Sequence, residues 1–279
     1  MQASAKSTGL PGVKHVIAVA SGKGGVGKST TTANLALALQ AEGARVGVLD
    51  ADIYGPSQGM MLGIPAGTRP EPVGDKALKP VIAQGLQVMS ISLLIDENTP
   101  MVWRGPMASG ALQQLILQTE WDNLDYLVID MPPGTGDIQL TLAQKVAVDG
   151  AVIVTTPQDI ALLDAKKGIE MFRKVDIPVL GVVENMSTHI CSQCGHEEHI
   201  FGAGGGDRIA REYDTEVLGS LPLSLSIRES VDTGTPTVAS SPESEAALAY
   251  RKIAVMIRNK VEATDKAKKA VPTFSVEDD

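Results

Sequence analysis

The chain has 279 residues, of which 43% are hydrophobic and only 3% aromatic, so it can form a large core of aliphatic side chains. Its net charge of −9 argues against nucleic acid as a partner, because binding to phosphate backbones favours basic surfaces. No apolar run is long enough to span a bilayer, and the N-terminus lacks the apolar segment of a signal peptide. We therefore expect a cytoplasmic protein that does not act at a membrane.

The first part of the chain predicts a strand, a glycine-rich loop and a helix. Residues 1–13 are polar and predict a flexible leader. Residues 16–20 are apolar and predict a buried strand. Beyond the glycine-rich loop, helix-forming residues with apolar spacing extend to about Glu42, and Gly43 is placed to end this helix.

The loop between this strand and this helix matches the P-loop pattern G-x-x-x-x-G-K-[ST] at every position. Its residues are Ser21, Gly22, Lys23, Gly24, Gly25, Val26, Gly27, Lys28, Ser29 and Thr30. Backbone N–H groups of such a loop surround phosphate oxygens, and the helix N-terminus adds its positive dipole. Lys28 is predicted to reach the β- and γ-phosphates, and the Ser29 hydroxyl to ligate Mg²⁺. The sequence therefore predicts binding of ATP and Mg²⁺, whereas an ordinary glycine-rich turn would not require the full pattern.

Further apolar runs alternate with helical patterns along the chain. Strands are predicted at 45–49, 79–82, 86–91, 126–130, 151–155 and 179–183, and helices at 107–120 and 159–174. A last helix is predicted to start at Ser241 as its cap, with Pro242 in its first turn. This alternation predicts an α/β fold, a mostly parallel central sheet with helices on both faces. We expect one P-loop ATPase domain over residues 14–261 and a polar, disordered tail over 262–279.

Three aspartates follow predicted strands and are candidates for the chemistry of the nucleotide. Asp130 ends an apolar run, and a P-loop needs a carboxylate there to act on a metal-bound water. Its alternative role is that of a simple strand-end cap. Asp50 and Asp52 end another strand, and we expect their side chains to point in different directions. We predict Asp50 near the water shell of the metal and Asp52 in position to orient the attacking water.

The two cysteines, Cys191 and Cys194, lie in a polar, glycine-rich loop at residues 185–206. Four interpretations are open. A mononuclear zinc site would add His196 and His199, although their H-x₂-H spacing is shorter than usual. A redox dithiol would normally begin a helix. The pair could also be inert, or two chains could together supply the four thiolates of a [4Fe–4S] cluster.

The loop from Lys23 to Ser29 resembles the deviant P-loop of the MinD, ParA and nitrogenase iron-protein class. The general pattern does not require Lys23. The resemblance implies that Lys23 crosses an ATP-bound homodimer and reaches the phosphates of the partner, as an arginine finger does in trans. The alternative is a solvated lysine in a loop.

A wider resemblance covers roughly residues 14–260 and is to the iron–sulfur cluster carrier ATPases of the Mrp/ApbC type. Besides the P-loop, the motifs with this resemblance are Asp50 to Ser57, Trp103 to Met107, Asp130 to Asp137, and Glu184 to Ser187 followed by Cys191 and Cys194. The resemblance implies a homodimer that hydrolyses ATP, binds a labile [4Fe–4S] cluster between the Cys191 and Cys194 pairs of two chains, and works with iron–sulfur scaffold proteins and apoprotein acceptors. It also implies that Asn185 lies at the edge of the adenine, where an amide can donate and accept.

Other classes share the P-loop but fit less well. A partitioning ATPase of the MinD type needs a membrane-binding amphipathic helix, whereas residues 268–279 contain a proline and an acidic end. Nitrogenase-like reductases use two cysteines far apart in sequence. A zinc-stabilised regulatory or partitioning ATPase of the MinD/ParA class remains the alternative function.

Overall fold

The computed structural model describes residues 9–94, 105–191 and 193–270. Within these ranges the strands, numbered in chain order, are β1 Val13–Ala20, β2 Val46–Asp50, β3 Pro72–Val73, β4 Ala77–Leu78, β5 Val81–Ala83, β6 Leu86–Ser90, β7 Leu124–Asp130, β8 Gly150–Thr155, β9 Val179–Glu184, β10 His189–Ile190, β11 Glu197–Glu198 and β12 Val217–Ser220. The helices are α1 Lys28–Ala41, α2 Gln58–Met61, α3 Gly105–Gln118, α4 Asp137–Lys145, α5 Asp159–Lys174, α6 Gly205–Glu212, α7 Leu225–Asp232, α8 Thr237–Ser240 and α9 Glu245–Ala270.

The central sheet has eight strands in the order β12-β9-β8-β1-β7-β2-β6-β5. Neighbouring strands pair in parallel, except that β5 is antiparallel to β6. The register places Asp130 beside both Val19 of β1 and Asp50 of β2. The carboxyl ends of β1, β2 and β7 therefore meet where the P-loop leaves β1, which is where ligands bind in open parallel sheets.

Each face of the sheet is covered by helices over an apolar cluster. One cluster includes buried side chains of α3, α4, α5 and α6, among them Leu115 and Phe172. The other includes buried side chains of α1 and α9, among them Leu35 and Tyr250. The predicted α/β fold with helices on both faces is thus confirmed. None of the helices in the described part of the chain is long and apolar enough to span a membrane.

The start of the chain differs from the prediction of a leader up to residue 13. Leu10 is buried in a core cluster, and the Gly12 carbonyl accepts a hydrogen bond from the Leu124 N–H at 2.7 Å. β1 begins at Val13. Residues 9–13 therefore belong to the fold, because an apolar side chain and a backbone hydrogen bond attach them to it. Residues 1–8 of the predicted leader lie outside the described residues.

The last helix also differs from the prediction at both ends. It begins at Glu245 rather than near Ser241, and the Ser244 hydroxyl caps it by accepting the Ala247 N–H at 3.2 Å. It continues to Ala270, so the tail predicted to be disordered from residue 262 is helical over its first part. Val261 is buried in the core, and packing of this apolar face helps to extend the helix. Residues 271–279 lie outside the described residues, as do Trp103 and Arg104 of the wider resemblance.

Candidate functional site

At two positions of the P-loop, the backbone lies so close to a neighbouring residue that only glycine fits. Gly27 has a φ of 81°, and a Cβ there would lie 2.1 Å from the Asn185 Nδ2. A Cβ on Gly22 would lie 2.1 Å from the Asp164 backbone. The loop encloses a cavity of about 220 Å³, lined by Ser21, Lys23, Gly24, Gly25, Gly27, Lys28, Ser29, Thr30, Asp52, Ser57, Met61 and Pro133.

Lys28 is the buried cation of this site. Its ammonium forms an ion pair with the fully buried Asp130. It also lies 3.2 Å from the Ser29 Oγ and 3.8 Å from the Asp52 Oδ2. The lysine thus joins the cavity to the carboxylate at the end of β7, and phosphate oxygens entering the cavity would meet this ammonium.

Asp130 is held by two further donors. The Thr32 hydroxyl donates to its Oδ1 at 3.2 Å, and the Gln58 Nε2 donates to its Oδ2 at 2.8 Å. The same Gln58 amide donates to the Ser29 carbonyl at 3.0 Å, while its Oε1 is buried and accepts no hydrogen bond from a described residue. The sequence analysis did not select Gln58. The available clue was its position directly after the Asp50 to Ser57 motif.

Asp50 and Asp52 have different surroundings, because β2 ends at Asp50 and Asp52 lies in the loop beyond it. Asp50 is fully buried, and its carboxylate accepts the N–H groups of Asp52, Ser57 and Gln58 at 2.9 to 3.1 Å. Burial, followed by the charge of Asp130, raises the pKa of Asp50 to about 7. Asp50 thus fixes the loop that follows β2, and its contact with the water shell of a metal stays a prediction.

Asp52, in contrast, lines the cavity. Burial raises its pKa, while the nearby charge of Lys28 opposes this shift. Asp52 and Asp130 thus both lie beside the Lys28 ammonium. The Ser29 hydroxyl and the Asp52 carboxylate, which both line the cavity, are oxygen ligands of the kind that Mg²⁺ prefers. The residues present fit a magnesium ion.

Asn185 follows β9 and lies behind the P-loop. Its Nδ2 donates to the Val26 carbonyl at 2.9 Å, and the side chain is buried. This hydrogen bond joins the end of β9 to the glycine-rich loop. The predicted contact of Asn185 with adenine remains a prediction.

Lys23 is half-buried and lines the cavity. The Ser21 hydroxyl donates to its backbone carbonyl at 2.8 Å, which shapes the start of the loop. Within the described ranges its ammonium has no carboxylate partner, unlike that of Lys28. A cation without an ion pair is available to a second chain, as the predicted role in trans requires.

Cys191 and Cys194 lie on the β10–β11 hairpin, and neither forms a disulfide. The Cys191 N–H donates to the His196 carbonyl at 2.9 Å, and the Gly195 N–H donates to the Cys191 carbonyl at 2.8 Å. The nearby backbone N–H groups of Gln193 and Cys194 lower the pKa of the Cys191 thiol. The hairpin thus favours a thiolate, the form that binds metals.

The histidines of this loop do not gather around the cysteines. The His199 Nδ1 lies 2.8 Å from the Ser187 carbonyl, and the His189 Nδ1 lies 3.2 Å from the Leu223 carbonyl. Among the described residues, no histidine or carboxylate forms a group of three ligands with the cysteines. This arrangement argues against the mononuclear zinc site with His196 and His199.

Two known proteins are similar to this chain over most of its length. An iron-sulfur cluster carrier protein of Pseudomonas fragi is 68% identical over 254 residues, which cover 91% of this chain and 88% of that protein. An iron-sulfur cluster carrier protein of Escherichia coli (strain K12) is 62% identical over 246 residues. That match covers 88% of this chain and 66% of the relative, so the chain spans about two thirds of it.

A solved structure shows the same fold with a nucleotide. The nucleotide-binding protein of Archaeoglobus fulgidus in complex with ADP has a TM-score of 0.70 and 40% sequence identity, covering 80% of this chain and 87% of that one. The ParA model described as a NUBPL iron-transfer P-loop NTPase matches residues 12–258. The chain therefore belongs to the ParA-type family of NUBPL iron-transfer P-loop NTPases.

Proposed function

We propose that this protein is an ATP-dependent carrier that binds a labile [4Fe–4S] cluster as cargo between two copies of the chain and delivers it to apoproteins. The names of its relatives support the carrier function, and its P-loop family supports ATP hydrolysis. We propose that hydrolysis is slow and is coupled to binding or transfer of the cluster. Iron–sulfur scaffold proteins would supply the cluster, and the acceptors would be apoproteins that need it.

The observation that supports a shared cluster best is the number of ligands on the cysteine hairpin. The chain has only Cys191 and Cys194, and no third ligand accompanies them among the described residues. A [4Fe–4S] cluster is held by four thiolates. Two chains related by a two-fold axis would supply four, with both cysteines exposed enough to meet the partner.

The nucleotide site would use residues of both chains. Lys28 would bind the β- and γ-phosphates, and Ser29 would hold Mg²⁺, which when bound offsets the phosphate charge. Asp130 would orient Lys28, and Asp52 would orient the attacking water from the wall of the cavity. Lys23 of the other chain would stabilise charge that develops during phosphoryl transfer.

The segment after β9 offers a physical connection between the two sites. Asn185 contacts the P-loop through Val26, and Cys191 follows six positions later on the same segment. Between them, the Ser187 carbonyl lies beside His199 on the other side of the hairpin. We propose that a shift of the P-loop on nucleotide exchange moves this segment and alters the cysteine pair.

Anaerobic reconstitution with iron and sulfide tests the shared cluster. We expect a brown dimer with about four irons per two chains. Cys191→Ser and Cys194→Ser should each abolish the colour, whereas His196→Ala, which changes an exposed histidine of the same loop, should retain it. One zinc per chain without visible absorbance would contradict the proposal, as would loss of metal in the His196 variant.

A second experiment tests the role of ATP. Lys28→Ala should reduce transfer of the cluster to an apoprotein more than it reduces binding of the cluster, because the lysine lies in the nucleotide site. Transfer is measured as recovery of activity in an acceptor that requires a [4Fe–4S] cluster. Equal transfer by the wild type and the variant would remove ATP from the mechanism.

A further inference from the structure

A second group of potential metal ligands lies at the opposite end of β1 from the P-loop. His15, Asp149 and Asp265 each offer a ligand atom, and these atoms lie within 4.8 Å of one another. His15 is near the start of β1, whereas Ser21 follows its end, so the two sites are about 20 Å apart along an extended strand. This group is therefore separate from the nucleotide site.

His15 is the buried member of the group. It is 3% exposed, and its ring stacks on Tyr126 with 5.4 Å between the ring centroids. Its Nδ1 is buried and forms no hydrogen bond with any described residue. A buried polar atom that forms no hydrogen bond lowers the stability of the folded protein. The His15 Nδ1 therefore points to a ligand that would bind this atom.

The two carboxylates approach this imidazole from different elements. Asp149 precedes β8, and its Oδ2 lies 3.7 Å from the His15 Nδ1 while accepting the Val16 N–H at 3.0 Å. Asp265 lies on the last turns of α9, and its Oδ2 lies 3.5 Å from the His15 Nε2. Both distances are too long for hydrogen bonds. An imidazole binds an ion through one nitrogen, and the 3.7 Å between the His15 Nδ1 and the Asp149 Oδ2 is close to the spacing of about 3.4 Å between two ligand atoms of a tetrahedral zinc ion with bonds near 2.1 Å.

We propose that His15, Asp149 and Asp265 bind a divalent transition-metal ion, with Zn²⁺ as the best fit. One imidazole nitrogen with carboxylate oxygens is a common set of ligands for this ion, and water would complete its coordination. The bound ion would join β1, the turn before β8 and the end of α9. It would attach the helical extension beyond residue 261 to the start of the central strand β1.

The test uses the full-length chain with Cys191→Ser and Cys194→Ser, because the cargo thiols would otherwise bind zinc as well. Excess Mg²⁺ and ADP occupy the P-loop, and Zn²⁺ is titrated calorimetrically into this background protein. We expect tight binding of Zn²⁺ that weakens at least about tenfold in His15→Phe, which keeps an aromatic ring against Tyr126. Asp265→Asn, a change at a partly exposed side chain, should have the same effect. The matched control Asp232→Asn lies on α7 and should bind as the background does.

Thermal unfolding and cobalt spectra complete the test. Saturating Zn²⁺ should raise the Tm of the background protein by about 5 °C and leave the His15→Phe protein unchanged. Co²⁺ at the same site should give weak visible bands without the intense charge-transfer absorption of thiolate ligands. Equal binding by the background, His15→Phe and Asp265→Asn proteins would overturn the proposal, as would no change of Tm on addition of Zn²⁺.

Discussion

The Gln58 amide donates to the Asp130 carboxylate at 2.8 Å and to the Ser29 carbonyl at 3.0 Å. A single buried side chain on the short helix α2 thus connects the P-loop with the carboxylate that pairs with Lys28. Positioning partners of this kind affect activity because they hold the residues that contact the substrate.

Gln58→Leu should therefore lower the rate of ATP hydrolysis about tenfold while the affinity for ADP changes much less. The Leu side chain fills similar volume but cannot hold Asp130. The matched control is Gln87→Leu, because the Gln87 amide also makes two hydrogen bonds, both to the backbone of Asp122. Hydrolysis by the Gln58 variant at the rate of the control would contradict the positioning role.

Mixing two inactive variants tests whether Lys23 acts in trans. Lys23→Ala and Asp52→Asn should each hydrolyse ATP poorly as pure proteins. In a mixed dimer, the Lys23→Ala chain keeps its own Asp52 and receives Lys23 from its partner, so one of the two sites is complete. An equal mixture should recover about a quarter of the wild-type rate, since about half of the dimers are mixed. A mixture as inactive as its components would show that Lys23 serves its own chain.

The pKa of Asp50 leads to a prediction on stability. In the folded protein burial and Asp130 raise this pKa from 3.8 to about 7, so the folded state binds a proton that the unfolded chain has lost. The contribution of Asp50 to the free energy of unfolding is therefore full at low pH and falls as the pH rises from about 4 to about 7. The raised pKa of Asp52 acts in the same direction.

Urea unfolding of the nucleotide-free protein at a series of pH values measures this effect. Asp50→Asn should reduce the pH dependence, because the variant cannot titrate at this position. The Asp232→Asn variant, which changes an exposed side chain, should show the same dependence of the unfolding free energy on pH as the wild type. If the unfolding free energy of all three proteins changed with pH in the same way, Asp50 would not be the group that binds a proton on folding.

Asn185→Ala should weaken the binding of ADP about tenfold, because the Val26 carbonyl of the P-loop loses its donor. Calorimetric titration with Mg²⁺ and ADP provides the measurement. Ser187→Ala is the matched control, because Ser187 lies on the same segment as Asn185 and its hydroxyl donates to the Leu221 carbonyl instead of the Val26 carbonyl. A wild-type affinity in the Asn185 variant would be inconsistent with this role.

Cys191 should react with iodoacetamide at a lower pH than an ordinary thiol does. The N–H groups of Gln193 and Cys194 stabilise its thiolate and lower its pKa. In the Cys194→Ser variant only Cys191 can be alkylated. The pH at which its alkylation rate is half-maximal reports the pKa of the Cys191 thiol. The same variant unfolded in urea is the control and should show a higher midpoint. Coinciding midpoints would indicate that the hairpin does not favour the thiolate.

The P-loop could be predicted because its residues are contiguous in the sequence. The P-loop conformation follows from glycines and from the strand and helix on either side of it. Asp130 could be selected because it ends an apolar strand. The difference between Asp50 and Asp52 follows instead from the end of β2 at Asp50, which leaves Asp52 in the loop beyond the strand, where it lines the cavity. The helix cap was misplaced by three residues, from Ser241 to Ser244, because several consecutive polar residues there can all serve as caps.

The sequence by itself therefore determined the α/β fold class, the P-loop and the two thiols, because these depend on local periodicity, glycine conformation and composition. Only the tertiary structure decided which distant residues meet. Gln58 reaches Asp130 because β2 and β7 are neighbours in the sheet, and His15 meets Asp265 because α9 crosses back to the start of β1. Strand order and helix packing bring these partners together, and neither is encoded in the spacing of the residues along the chain.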